Sequence, residues 1–174
     1  MRLALPLLAL SVLLVSCARH TSTVCVLDYQ IISAEDDYRF LSRAIPEFLT
    51  SELAGSQRLY VRDPQDVDRL MNDLEQRWTL RDHTRLKNLG RRLNADYFIL
   101  GSVTRLGERF VIESRLFSVK RGHVVPGTAM RETCDSEREI LTQVRSVAER
   151  MRFQILARTP QPPGAVITPY TQGG

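Results

Sequence analysis

The chain has 174 residues, of which 43% are apolar and 25% charged, the composition of an ordinary globular protein. That length suits one domain. A formal charge of +4, with bases and acids interspersed, excludes the dense basic footprint of a nucleic-acid binder.

Met1 and Arg2 form a short positive start, and Leu3 to Val15 is an almost unbroken apolar run. The run is too short to cross a bilayer, which takes about 20 residues, so residues 1–16 read as an export signal. It ends in Leu14-Val15-Ser16-Cys17, which resembles a bacterial lipobox. The resemblance implies a diacylglycerol group on the Cys17 thiol and cleavage just before it. Residues 17–174 are then expected at a membrane surface, since two or more acyl chains anchor a protein stably. Ala18, rather than Asp, follows the cysteine, which by resemblance to sorted lipoproteins implies the periplasmic face of the outer membrane. Residues 17–23 read as the lipidated N-terminus and a short polar linker. In an oxidising compartment the two remaining cysteines, Cys25 and Cys134, are a candidate disulfide. The alternative is a pair of buried thiols acting as small apolar residues.

Val24 to Tyr29 is apolar enough for a central strand, and Ser33 to Asp37 is a polar loop. From Tyr38 the apolar residues Phe40, Leu41, Ala44, Ile45, Phe48, Leu49 and Leu53 fall at helical spacing, with Gly55 as a stop. Pro46 inside this run predicts a kink or a late start. Leu59-Tyr60-Val61 is a second strand. Asp63-Pro64 then opens a helix with the stripe Val67, Leu70, Met71 and Leu74. Asp82 caps another helix that carries Leu86, Leu89 and Leu93, with Lys87, Arg91 and Arg92 on a solvated face. Tyr97 to Leu106, Phe110 to Val119 and Val124 to Thr133 are three strands with glycine turns between them, the last broken at Pro126-Gly127. They predict an antiparallel meander. Ser136 and Glu139 fit a capping box for a helix from Ile140 to Leu156. Beyond Arg158 the apolar period ends, and residues 158–174 read as a disordered tail. The order β-α-β-α-α-β-β-β-α predicts one α+β domain over residues 24–157, a mixed sheet packed by helices.

Three phrases carry a family resemblance. Val24-Cys25-Val26-Leu27-Asp28-Tyr29 resembles the opening strand of the TolB N-terminal-like superfamily. Leu89 through Ala95-Asp96-Tyr97 to Gly101-Ser102-Val103 resembles its helix-to-strand phrase, and Gly107 through Leu116 to Val124 resembles its hairpin. A lone domain behind a lipobox is most similar to the FlgO type, outer-membrane lipoproteins linked to flagella. The curli secretion lipoprotein CsgG and the penicillin-binding-protein activator LpoB are related. The resemblance implies a non-catalytic envelope interaction or assembly module, without cofactor, with flagellar or secretion components as partners. Curli-type relatives oligomerise, so homo-oligomers come with the same resemblance. Asp28-Tyr29 departs from the usual Pro-Phe, and Cys25 replaces a plain apolar residue. Six linker residues reach only about 20 Å, which disfavours a long-range synthase activator. Ser114, Ser118, Glu113 and Arg115 leave neither face of the hairpin a clean lipid stripe, which disfavours a pore.

No catalytic signature stands against this reading. His20, His83 and His123 have no zinc-ligand spacing, so no metal is expected. No nucleophile elbow, phosphate-cradling loop or HExxH string occurs. Glu35, Asp36 and Asp37 read as helix-start residues rather than an acid-base cluster. Asp96 reads as a turn or cap. Trp78 and Tyr170 are candidate partner anchors, against helix-end packing for the first and an unstructured tail for the second. The competing hypothesis is an envelope hydrolase with an unrecognised site. It requires a pocket holding a strongly perturbed carboxylate or histidine. An interaction module instead requires an exposed strand edge or patch.

Overall fold

The computed structural model describes residues 21–34, 36–72 and 82–160. Its strands are β1 (Ser22–Val26), β2 (Gln30–Ile32), β3 (Leu59–Val61), β4 (Tyr97–Leu106), β5 (Arg109–Ser118), β6 (His123–Val124) and β7 (Met130–Cys134). The helices are α1 (Leu41–Ala54), α2 (Pro64–Asn72), α3 (His83–Arg92) and α4 (Glu137–Leu156), with a 3-10 turn at Asp36–Tyr38. The sheet is mixed and runs β3-β1-β4-β5-β6, with β2 also on β4 and β7 also on β5. The β1, β2 and β3 pairings are parallel, and β4 through β7 form the antiparallel meander that the glycine turns predict. This is the expected α+β fold.

The first strand differs from expectation in an instructive way. Val26 pairs with Ile99 and Gln30 with Ser102, so Leu27, Asp28 and Tyr29 oppose only Leu100 and Gly101. That extra residue is a bulge, and it reverses which way later side chains point. Tyr29 therefore joins Val24 and Val26 in one core cluster, while Cys25 and Leu27 belong to another. Tyr29 is 1% exposed, and its hydroxyl lies 2.7 Å from Ser114 Oγ. Its ring occupies the space above Gly101, where a Cβ would sit 2.1 Å from Tyr29 Cε1.

Pro46 does not bring a late start, since α1 begins at Leu41; it lies buried within the helix. Proline has no N–H for the carbonyl four residues back, here that of Ser42. The Tyr29 N–H donates to that carbonyl instead, at 3.0 Å. The proline thus opens a docking point on α1 for the bulge.

At its start β1 takes in Ser22 and Thr23, two residues of the presumed linker. At the other end Thr159 is buried, its Oγ1 lying 2.7 Å from Ser22 Oγ. The domain thus extends beyond residues 24–157 on both sides. The third meander strand splits into β6 and β7 around Pro126-Gly127. Thr128 bridges the gap, its Oγ1 accepting from the Leu116 N–H at 3.2 Å and donating to the Val125 carbonyl at 2.7 Å. The capping box does not form: Ser136 makes no side-chain cap bond, and Glu139 reaches one residue further back to accept from the Asp135 N–H at 2.9 Å.

Candidate functional site

Helices α1 and α4 cover one face of the sheet, burying Val24, Val26, Ile99, Val103, Phe110, Ile112 and Leu116. Among the described residues, the second face is covered over half its length only. Near the start of β1, Cys25, Leu27, Phe98, Leu100, Phe117 and Val119 lie beneath Val67 of α2 and Leu86, Leu89 and Leu93 around α3. Past Leu100 the alternation continues with Ser102, Thr104 and Leu106 on β4, facing Glu113, Val111 and Arg109 on β5. Arg131 and Thr133 of β7 extend this row on one side, and Gln30 and Ile32 of β2 on the other. None of these side chains is buried. Among the described residues, α3 has 10 residues and reaches about 15 Å, whereas β4 and β5, of 10 residues each, run about 33 Å.

The bare half is polar at its centre and apolar at its rim. Arg131 Nε donates to Glu113 Oε1 at 2.8 Å, and Arg115 lies 3.9 Å from the same carboxylate. Ile32 and Leu106 are 48% and 62% exposed. Beside them a shallow hollow of about 450 Å³ runs along Gln30 to Ala34 and Thr104 to Leu106.

The two ends of the sheet differ in charge. At the entry end, the Ser22 N–H donates to the Arg58 carbonyl at 3.1 Å. The Asp96 carboxylate accepts from the Thr23 N–H at 2.8 Å, so in place of the turn or cap read for it the residue extends the pairing of β1 with β4. Four segments meet here: 54–59, 90–96, 118–123 and 156–160. They carry Arg58, Arg91, Arg92, Lys120, Arg121 and Arg158, and Asp96 is their one acid. At the hairpin end, Tyr38 packs edge-on to Phe110 with ring centres 5.0 Å apart, and the Arg105 guanidinium lies 4.6 Å above Tyr38. The segments 37–40, 106–109 and 134–139 carry five acids there against Arg39, Arg109 and Arg138.

The groups that would serve chemistry are dispersed. Among the described residues, no three His, Cys, Asp or Glu side chains stand close enough to hold a metal ion. His83 packs edge-on to Phe117 at 5.5 Å, and His123 Nδ1 lies 2.9 Å from the Val124 carbonyl. Cys25 and Cys134 are free and buried in the two separate core clusters. The candidate disulfide is therefore not formed. Cys25 points to the α3 side of β1 and Cys134 to the α4 side of β7, with β4 and β5 between them. Burial pushes the thiols up to about 12 for Cys25 and about 11 for Cys134, so both stay neutral. Asp28 is raised first by burial and then by the Asp68 carboxylate, with Arg43 pulling it back. Its side chain is exposed, and Arg43 pairs with Asp68. Cys17, His20, Glu35, Leu74, Trp78 and Tyr170 lie outside the described residues.

No family model matches the chain, and no curated protein matches it. Solved structures do share its fold. It is similar to the LpoB C-terminal domain from Salmonella enterica, at 13% identity over 67% of this chain and 84% of that one, with a TM-score of 0.54. Lipoprotein GNA1162 from Neisseria meningitidis aligns at 13% identity over 75% and 96% of the two chains, with a TM-score of 0.52. The hypothetical protein CT253 from Chlamydia trachomatis aligns at 10% identity over 79% and 99%, with a TM-score of 0.54. At such identities the likeness is one of fold, and it does not single out the FlgO type.

Proposed function

We propose that the protein is a lipid-anchored, non-catalytic interaction module of the bacterial envelope, and that the bare half of its sheet engages the partner. The half-face that the described residues leave uncovered carries this reading. A domain with a complete core under one half of a sheet face gains nothing in stability from leaving the other half open. Exposed Ile32 and Leu106 around the Arg131–Glu113–Arg115 row give such a surface an apolar rim and a charged centre. Dispersed histidines and neutral, buried thiols argue against the hydrolase alternative. The lipobox resemblance supplies the anchor at Cys17 and the outer-membrane address. The fold likeness to two lipoprotein domains is consistent with that placement. A flagellar, secretion or cell-wall partner follows from family resemblance alone and is the finer part of the proposal.

The test places a photo-reactive residue at Thr104 or Val111 in one set of cells and at exposed Phe153 of α4 in another. Crosslinked envelopes are then read by mass spectrometry, with and without Cys17→Ala. A partner captured from the sheet positions, absent from position 153 and lost with Cys17→Ala, is the expected result. Equal capture from all positions overturns the assignment of the face. Retention of Cys17→Ala in the membrane with the same partners overturns the anchor.

A further inference from the structure

The entry end of the sheet carries an excess of positive charge that the fold itself does not use. Arg91, Arg92, Lys120, Arg121 and Arg158 are all exposed. Ion pairs occur elsewhere, at Arg43–Asp68, Arg109–Asp135, Arg131–Glu113, Arg145–Glu52 and Arg150–Glu132. Among the described residues Arg91, Arg92, Lys120 and Arg121 belong to none of them. The only acid on these segments, Asp96, is bound to the Thr23 N–H.

These cations come from distant parts of the sequence and are brought together by two close approaches. A Cβ on Gly90 would stand 2.3 Å from Val119, so the glycine lets α3 sit directly on the end of β5. That contact sets Arg91 and Arg92 beside the β5–β6 turn with Lys120 and Arg121. On the other side of the sheet, Thr159 on Ser22 ties the end of α4 down, and Arg158 is fixed by Gln154, whose Oε1 accepts from it at 2.6 Å. Arg121 and Arg158 then line a hollow of about 190 Å³ with Tyr97 and Ser118. Two guanidinium groups, a phenol and a serine make a set of donors suited to a phosphate.

The chain enters the domain at this same end. Four residues, 18–21, separate Cys17 from β1. Fully extended they reach about 14 Å. We propose that the entry end is a membrane-facing surface, and that Arg91, Arg92, Lys120, Arg121 and Arg158 bind the anionic headgroups of phospholipids. This rests on the anchored-module reading, since Cys17 brings the membrane within reach. Basic residues that close to an anionic surface are attracted to it within about a Debye length, ~8 Å at physiological salt. The domain then stands upright, with the bare half of its sheet and the acidic hairpin end turned away from the bilayer.

Flotation of the mature chain carrying Cys17→Ser tests the surface without the anchor. The vesicles are phosphatidylcholine, with or without added phosphatidylglycerol. Two double variants carry the same change of charge: Lys120→Glu with Arg121→Glu at the entry end, and Arg109→Glu with Arg138→Glu at the hairpin end. Circular dichroism confirms that each is folded. The chain is expected to float with phosphatidylglycerol vesicles about tenfold better than with neutral ones, and to be released when salt shortens the Debye length to about 3 Å. The entry-end variant loses this preference and the hairpin-end variant keeps it. Equal flotation on both vesicle types, or equal loss in both variants, overturns the proposal. Acyl labelling of the wild-type chain at Cys17 is scored separately, so a failed surface and a failed anchor are told apart.

Discussion

The second face of the sheet is two surfaces built from the same strands. Under α2 and α3 the alternate positions are Cys25, Leu27, Phe98, Leu100, Phe117 and Val119, all buried. Past Leu100 the same alternation yields Ser102, Thr104, Glu113 and Arg115, none of them buried. Backbone pairing is continuous across the boundary, from Tyr97–Ser118 to Leu106–Arg109. The change of composition therefore marks where cover by the described residues stops, and not where the sheet does. A sheet face without cover must be polar enough to stay soluble, and what apolar surface remains on it is available to a partner.

The sharpest way to break this comparison is to place one charge on each half. Leu100→Asp buries an unpaired carboxylate under α3 and is expected to cost at least about 3 kcal/mol or to prevent folding. Thr104→Asp, four residues on and on the same face, is expected to fall within about 0.5 kcal/mol of wild type by urea unfolding. Equal losses would mean that the second half is covered after all.

Gly101 stands at the boundary, where the bulge carries Tyr29 over the opposite face. Gly101→Ala drives a methyl into the Tyr29 ring, and unfolding should show a loss of about 2–3 kcal/mol. A smaller effect follows from Tyr29→Phe. It leaves the buried Ser114 hydroxyl without the 2.7 Å partner it has now. The expected cost is about 1–2 kcal/mol, and Ser114→Ala in the same chain should recover part of it in a double-mutant cycle.

The smallest effect at neutral pH concerns Cys25 beneath the covered half and Cys134 beneath α4. With Cys17→Ser, a thiol reagent should find two thiols in denaturant without reductant and react with neither at neutral pH in the folded chain. A disulfide would give none. Both thiols are raised on folding from 9.0, to about 12 for Cys25 and about 11 for Cys134. The unfolded chain therefore ionises first. Their contribution to stability is complete below pH 9 and falls as pH rises through 9 towards 11 and 12. Urea midpoints measured across that window should decline less steeply in Cys25→Ala than in wild type.

Local pattern made much of this protein legible. Helical spacing located α1, α3 and α4, and the glycine turns located the meander. Asp82 was legible as a cap, and it accepts from the Arg85 N–H at 3.0 Å. Asp96 reads as a turn or cap, but its partner, Thr23, lies on another strand, which local pattern does not show. The motif around Gly90 and Gly101 reads as a family phrase in the sequence, and its reason is steric. Each glycine leaves room for one side chain, Val119 or Tyr29, that lies far away in the sequence.

The remainder depended on three dimensions. A stretch such as Val24 to Tyr29 is equally apolar with or without a bulge, so only its register against β4 showed that Tyr29 and Cys25 face opposite ways. Alternation along β4 and β5 gives two faces but does not say which is covered, because cover depends on which elements land on them. Lys120 and Arg121 sit about 30 positions from Arg91 and Arg92 and almost 40 from Arg158, and in the linear sequence they look like ordinary solvated charges. Helices α1, α3 and α4 and the β4–β5 hairpin are legible in the sequence, because periodicity and turn residues are local. The entry-end cluster, the bare half-face and the separation of the two thiols were decided by packing, because each depends on which distant strands become neighbours.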